Sequence, residues 1–160
     1  MALGVLMVSS VALALNQIQC PNGTDADFPV TCIGTNGDDS MSGTAGYDNM
    51  SGLAGNDTLN GYGGDDELNG DEYDGAAGND TLNGGPGNDD LEDRAGTNTL
   101  IGGAGADTFY ADHGEISDIS GGRGNDYVYA ADGAKDTINC GRGGHDWVDF
   151  DSGLDVVRGC

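Results

Sequence analysis

From Gly34 onward the apolar residues come singly, nine positions apart, at Met41, Met50, Leu59 and Leu68. Between them the chain is glycine and polar residues: GTNGDDSMS, GTAGYDNMS, GLAGNDTLN, GYGGDDELN, four nine-residue units with nothing between them. Each has Gly in slot four (Gly37, Gly46, Gly55, Gly64) and Asp in slot six (Asp39, Asp48, Asp57, Asp66). The last three residues of a unit place one apolar side chain between two polar ones, which predicts a short strand with a single inward residue. The first six predict a turn whose glycines permit positive φ and close backbone packing. A turn after every three-residue strand makes the chain coil, two units per circuit, with slot-eight residues stacked between two parallel sheets. Six such circuits at ~4.8 Å spacing give a rod roughly 29 Å long. The predicted fold is all-β, a parallel β-roll or β-solenoid.

The pattern continues after a five-residue insertion, GDEYD, at 70–74. A second block, GAAGNDTLN, GGPGNDDLE, DRAGTNTLI and GGAGADTFY, covers 75–110, with Asp93 in slot one and Asn98 in slot six of its third unit. Residues 111–120 have the length of a unit plus one, and slot six falls on Ser117. GGRGNDYVY at 121–129 restores the pattern, and ADGAKDTIN, GRGGHDWVD and FDSGLDVVR follow with Ala130 and Cys140 as single-residue spacers. Across twelve clear units slot six is Asp in eleven and slot eight is apolar in all twelve. Self-similarity at one fixed period is the signature of a solenoid.

Charge changes the picture from scaffold to chemistry. The chain has 28 Asp and Glu against 5 Lys and Arg, a net −23 over 160 residues. It lacks the basic footprint that nucleic-acid binding requires. Such acidity would otherwise read as disorder or solubility, but eleven of the acids occupy one slot of one repeat. Slot-six side chains 18 residues apart (Asp39 with Asp57, Asp48 with Asp66, Asp80 with Asn98, Asp89 with Asp107) are expected to stack along the rod edge, and stacked carboxylates repel unless a cation lies between them. Carboxylate and backbone carbonyl oxygen, without sulfur or imidazole, suit Ca²⁺ better than Mg²⁺ or Zn²⁺. One apolar side chain per nine residues buries little area against a backbone ordering cost of ~1–2 kcal/mol per residue. Folding therefore needs an added source of free energy.

GLAGNDTLN, GAAGNDTLN and GGRGNDYVY closely match the nonapeptide of the hemolysin-type (RTX) calcium-binding repeat family, and the chain resembles that family from Gly34 to Tyr129 and more loosely to Arg158. The resemblance implies a parallel β-roll with several Ca²⁺ ions held in the turns by slot-six aspartates and loop carbonyls. Position by position it carries to Asp39, Asp48, Asp57, Asp66, Asp80, Asp89, Asp107, Asp126, Asp136, Asp146 and Asp155. It does not carry to Asn98 or to 111–120, where a missing or weakened site is expected.

Outside the repeats, the apolar run ALGVLMVSSV and Ala12-Leu13-Ala14 read as a signal peptide over 1–14, too short to span a bilayer. Residues 15–33 read as an N-terminal cap and 130–160 as degenerate repeats and a C-terminal cap. The four cysteines, Cys20, Cys32, Cys140 and Cys160, flank the repeats. In an exported chain they imply disulfides, and sequence proximity favours Cys20–Cys32 and Cys140–Cys160, one staple at each end. No C-x₂-C, H-E-x-x-H, G-x-S-x-G or P-loop motif occurs. His145 in slot five reads as a solvent-facing turn residue. Tyr127, Tyr129 and Trp147 are expected to fill and cover the C-terminal core, the alternative being an aromatic patch for a sugar or a surface.

The function these features point to is a secreted, non-enzymatic calcium-binding β-roll whose folding is coupled to the metal. The alternatives are a calcium-rigidified adhesive or surface-layer module that meets a glycan or cell surface, and a non-catalytic remnant of a larger RTX toxin or hydrolase.

Overall fold

In the computed structural model, residues 16–20, 31–71, 78–111, 113 and 116–160 are described. The signal-peptide reading of 1–14 and most of the insertion fall outside them. The described chain contains no helix; it is a right-through alternation of strands between two parallel sheets. One sheet stacks β1 (Asn16–Gln19), β3 (Asp39–Ser42), β5 (Thr58–Asn60), β7 (Thr81–Pro86), β9 (Thr97–Ala104), β11 (Ile116–Arg123), β13 (Thr137–Gly141) and β15 (Val156–Arg158) in that order. The other stacks β2 (Thr31–Ile33), β4 (Asn49–Leu53), β6 (Glu67–Asp71), β8 (Asp90–Glu92), β10 (Thr108–Tyr110), β12 (Tyr127–Ala130) and β14 (Trp147–Phe150).

The register follows the nine-residue period. Met41 pairs with Leu59, Leu59 with Leu82, Leu82 with Leu100, Leu100 with Ile119 and Ile119 with Ile138. The facing column runs Cys32, Met50, Leu68, Leu91, Phe109, Val128, Val148. These two columns form the core, and from Met41 to Ile138 every slot-eight side chain is at most 1% exposed. Each side chain packs mainly on the residues one circuit above and below, so stability propagates along the rod between neighbours.

About seven circuits form rather than six. The extra one comes from 16–33, whose strands β1 and β2 join the two sheets in parallel with β3 and β4. Cys32 takes the slot-eight position opposite Met50, and Cys20 joins it in a disulfide. Cys140–Cys160 is the second bridge, and both lie near the ends of the rod. An open solenoid end exposes core and unpaired strand edge; a covalent tie there stops fraying where the packing is one-sided.

The aromatic expectation is corrected. Slots seven and nine point away from the core, so Tyr127 and Trp147 are each 46% exposed while Val128 and Val148 take the inward positions. Tyr110 and Tyr129 stack with centroids 5.4 Å apart, and Tyr129 meets Trp147 at 5.1 Å. The aromatics form a row on the outer face of the second sheet. His145 is exposed, as expected.

Candidate metal centre

Slot-six aspartates sit where each turn enters its strand, and the chain buries them: Asp39, Asp48, Asp57, Asp66, Asp80, Asp89, Asp107, Asp126 and Asp136 are all 4% exposed or less. Burial of a carboxylate is costly unless its oxygens are met. One oxygen is met by the backbone. From Asp57 onward, Oδ1 accepts the main-chain N–H of slot six in the preceding circuit: Asp57 from Asp39 at 2.8 Å, Asp66 from Asp48 at 2.8 Å, Asp107 from Asp89 at 3.0 Å and Asp126 from Asp107 at 3.1 Å, whereas Oδ1 of Asp39, on the first rung, is buried without a donor. The expected pairs are therefore stacked, and the ladder also crosses the insertion, with Asp80 accepting from Asp57 and Asp89 from Asp66. It continues into the late units, where Asp146 accepts from Asp126 and Asp155 from Asp136.

The second oxygen separates the rungs into two kinds. In the first two units Oδ2 accepts from the turn itself: Asp39 from the N–H and hydroxyl of Thr35 at 2.6 and 3.0 Å, Asp48 from those of Thr44 at 2.6 and 3.1 Å. In the next two units slot two has positive φ, 83° at Leu53 and 75° at Tyr62, and the slot-two N–H makes no such bond. Oδ2 of Asp57, Asp66, Asp80, Asp89, Asp107, Asp126 and Asp136 is buried and meets no hydrogen-bond donor.

These oxygens have a common destination. A Cβ on slot-one Gly61 would collide with Oδ2 of Asp66 and with the carbonyl oxygen of Gly84 in the next circuit; Gly52 faces Asp57 Oδ2 and Gly70 O, and Gly121 faces Asp126 Oδ2 and Cys140 O. Carboxylate and carbonyl oxygen thus converge on the space that the absent side chain of a slot-one glycine leaves open. Oxygen-only donors of this kind fit a hard divalent cation, which would satisfy the carboxylates that the protein's own donors do not.

The electrostatics agree. Burial pushes the carboxyls of Asp57, Asp66 and Asp107 up to about 7 and that of Asp136 up to about 6. The main-chain N–H on Oδ1 opposes the rise, and the charges on neighbouring rungs add to it. Asp89 and Asp126 are raised for the same first reason. Low dielectric and like charge both disfavour the ionised form, and a dication alongside would favour it.

The interruptions are built differently. Asn98 accepts from Asp80 N–H at 3.0 Å and donates Nδ2 to Ala95 O at 3.0 Å, so both ends of its amide are satisfied without an ion. Ser117 holds slot six and gives its N–H to Asp136, but offers no carboxylate.

Slot five carries a second ladder, which the reading of His145 as a solvent-facing turn residue did not bring out. Asp38 Oδ1 accepts from Asn56 N–H, Asn56 from Asn79 and Asn79 from Thr97; on the other edge Asp65 accepts from Asn88 and Asn88 from Ala106. Slot-five side chains reach forward one circuit and slot-six side chains reach back one. The recurrence of Asn or Asp at 38, 56, 65, 79, 88 and 125 was the available signal.

A family model, the RTX calcium-binding nonapeptide repeat, matches in four copies at 33–68, 68–92, 93–115 and 118–134, which is more than half of the chain. No curated protein and no solved structure matches it. Repeat, fold and buried carboxylate ladder agree, and the chain belongs to the RTX calcium-binding nonapeptide repeat family.

Proposed function

We propose that the protein is a secreted, non-enzymatic β-roll whose folding is coupled to Ca²⁺ held by its slot-six aspartates. The observation that supports this is the set of seven slot-six Oδ2 atoms, from Asp57 to Asp136, that are buried without a donor. Without a cation these groups must hold protons or leave the interior, and either response works against the fold near neutral pH. An ion between circuits cancels charge and links residues 18 positions apart, so its binding free energy becomes folding free energy. Asp57, Asp66, Asp89, Asp107, Asp126 and Asp136 are the leading ligands, with Asp80 treated separately below. Asp39 and Asp48, already met by Thr35 and Thr44, contribute less, and Asp146 and Asp155 close the ladders at the thinner C-terminal end. Low calcium inside the cell and high calcium outside would keep the chain open for export and fold it afterwards, in a compartment where Cys20–Cys32 and Cys140–Cys160 persist.

Far-UV circular dichroism of the mature chain, titrated with Ca²⁺ and back-titrated with EGTA, tests the coupling. Strand signal should appear with calcium and disappear with the chelator. Signal indifferent to EGTA at pH 7.5 would sink the reading.

A second reading, a calcium-rigidified adhesive module, is favoured by the row Tyr110, Tyr129 and Trp147 on the outer face of the second sheet. Aromatic faces in line suit a sugar ring. A glycan array probed with and without calcium decides it, and no calcium-dependent spot would dispose of it.

A further inference from the structure

The repeat pattern breaks at three places that the fold brings together. Asp71 ends β6, where it pairs in register with Leu53 and its Oδ2 accepts the N–H of Gly78 at 3.0 Å. Asp80 is the slot-six rung of the unit that contains the insertion. Asp93 stands in slot one of the following circuit, where most units have glycine, and its N–H reaches Tyr110 O at 3.3 Å. One carboxylate oxygen from each lies within 4.8 Å of the other two, and the three residues are 1%, 1% and 3% exposed.

Elsewhere on the rod a slot-one glycine faces one carboxylate oxygen and one carbonyl. At Gly70 it faces two carboxylates: a Cβ there would collide with Oδ2 of Asp80 and Oδ2 of Asp93. Both atoms are buried, and neither meets a hydrogen-bond donor. This circuit is also the one whose slot-six partner, Asn98, is neutral and satisfied. The negative charge missing from slot six thus reappears in slot one and in the insertion. The nearest cation in sequence, Arg94, bonds Glu92.

We propose that Asp71, Asp80 and Asp93 form a separate divalent-cation site, off the nonapeptide pattern, that takes Ca²⁺ between β6, the turn entering β7 and the turn leaving β8. Three carboxylates and no nitrogen or sulfur select a hard cation. Three negative charges give it a stronger field than a turn with one carboxylate and one carbonyl. The proposal rests on the calcium reading above only in its choice of ion; two of its three ligands lie outside slot six.

The test uses the full mature chain with its disulfides intact and CaCl₂ as the only metal. Native mass spectrometry counts bound ions for the parent, Asp93→Gly, and Asp71→Asn/Asp93→Asn. Asp93→Gly restores the slot-one residue of the other units, so the fold is retained if the double variant loses it. Each variant should hold one Ca²⁺ fewer per chain than the parent. In EGTA, Asp93→Gly should keep at least as much strand signal as the parent, and in calcium it should melt at a lower temperature; a purely structural Asp93 would lower both. A calcium-loaded parent with the same ion count in Asp93→Gly overturns this site and leaves the slot-six reading standing. A parent that binds no calcium overturns both.

Discussion

The main-chain N–H of Asp57 donates to Oδ1 of Asp80 at 2.7 Å, although 23 residues separate them instead of the 18 of a regular circuit. Thr58 likewise pairs with Thr81, and Glu67 with Asp90. The five added residues therefore leave both the alternation between sheets and the register intact: β5 still pairs with β7 and β6 with β8, slot for slot. Deleting residues 71–75, which removes five positions and leaves Gly70 as the single slot-one glycine, should give a chain that still folds in calcium with a melting temperature within a few degrees of the parent. It should lose the ion assigned to Asp71, Asp80 and Asp93. A thermal melt in CaCl₂ with an ion count checks both; collapse of the strand signal would show that the insertion sets the register.

Protons and calcium compete for the same orphaned oxygens, and the sign of the pH dependence follows. The carboxyls of Asp57, Asp66 and Asp107 rise to about 7 in the fold from 3.8 in the open chain. Each binds its proton more tightly when folded. The metal-free fold thus has its full contribution from these groups below about pH 4 and loses it as pH rises through about 7. In EGTA, strand content and melting temperature should be higher at pH 5 than at pH 8. In saturating calcium the trend should reverse, since acid displaces the ion. Metal-free stability that climbs from pH 5 to pH 8 would contradict the assignment.

The two kinds of slot-six aspartate separate by mutation. Asp107→Asn keeps an acceptor for Asp89 N–H and replaces the orphaned Oδ2 with an amide, as Asn98 does at its own position. It should raise the calcium needed at the folding midpoint by roughly tenfold, comparable to other losses around a metal, while the metal-free chain becomes no less stable. Asp39→Ala instead strands the Thr35 N–H at a turn that supplies its own donors. That change should cost about 1–3 kcal/mol with or without calcium and leave the ion count unchanged. Calcium titrations followed by circular dichroism, run alongside chemical denaturation, distinguish the two.

How much of this was legible in the sequence depends on how much the nine-residue period dictates. Spacing alone places Met41 over Leu59 and Asp39 over Asp57, because a solenoid has one register at that period. It does not show that Leu53 and Tyr62 take positive φ while Thr35 and Thr44 do not, a difference that goes with a donor on Oδ2 of Asp39 and Asp48 and none on Oδ2 of Asp57 and Asp66. Nor does it place Asp93 beside Asp80, since both the insertion and the degenerate unit look like noise until the circuits are stacked. The outward Tyr127 and Trp147 were misread for a related reason: large aromatics usually go inside, but here slot eight already fills a core one side chain wide. The extra N-terminal circuit was hidden because the sequence of 16–33 carries no nine-residue unit that combines Gly in slot four, Asp in slot six and an apolar residue in slot eight.

Slot-four glycines look equivalent in sequence and are not equivalent in the rod. Gly105 has φ 147°, and a Cβ there would run into the carbonyl of Gly87 one circuit below, which sits in turn on Gly64. Gly37, in the first unit, has nothing within 4 Å of the position a Cβ would take, and its φ is not in the left-handed region. Gly105→Ala combines a disfavoured backbone conformation with a backbone clash that cannot relax without separating two circuits. It should destabilise the calcium-loaded protein by at least ~2 kcal/mol. Gly37→Ala should stay within ~0.5 kcal/mol of the parent, since it meets neither obstacle. Denaturant unfolding in saturating CaCl₂ measures both. Equal costs at the two positions would mean that slot four is set by the turn alone, whereas a large cost only at Gly105 locates the requirement in the stacking of one turn on the next.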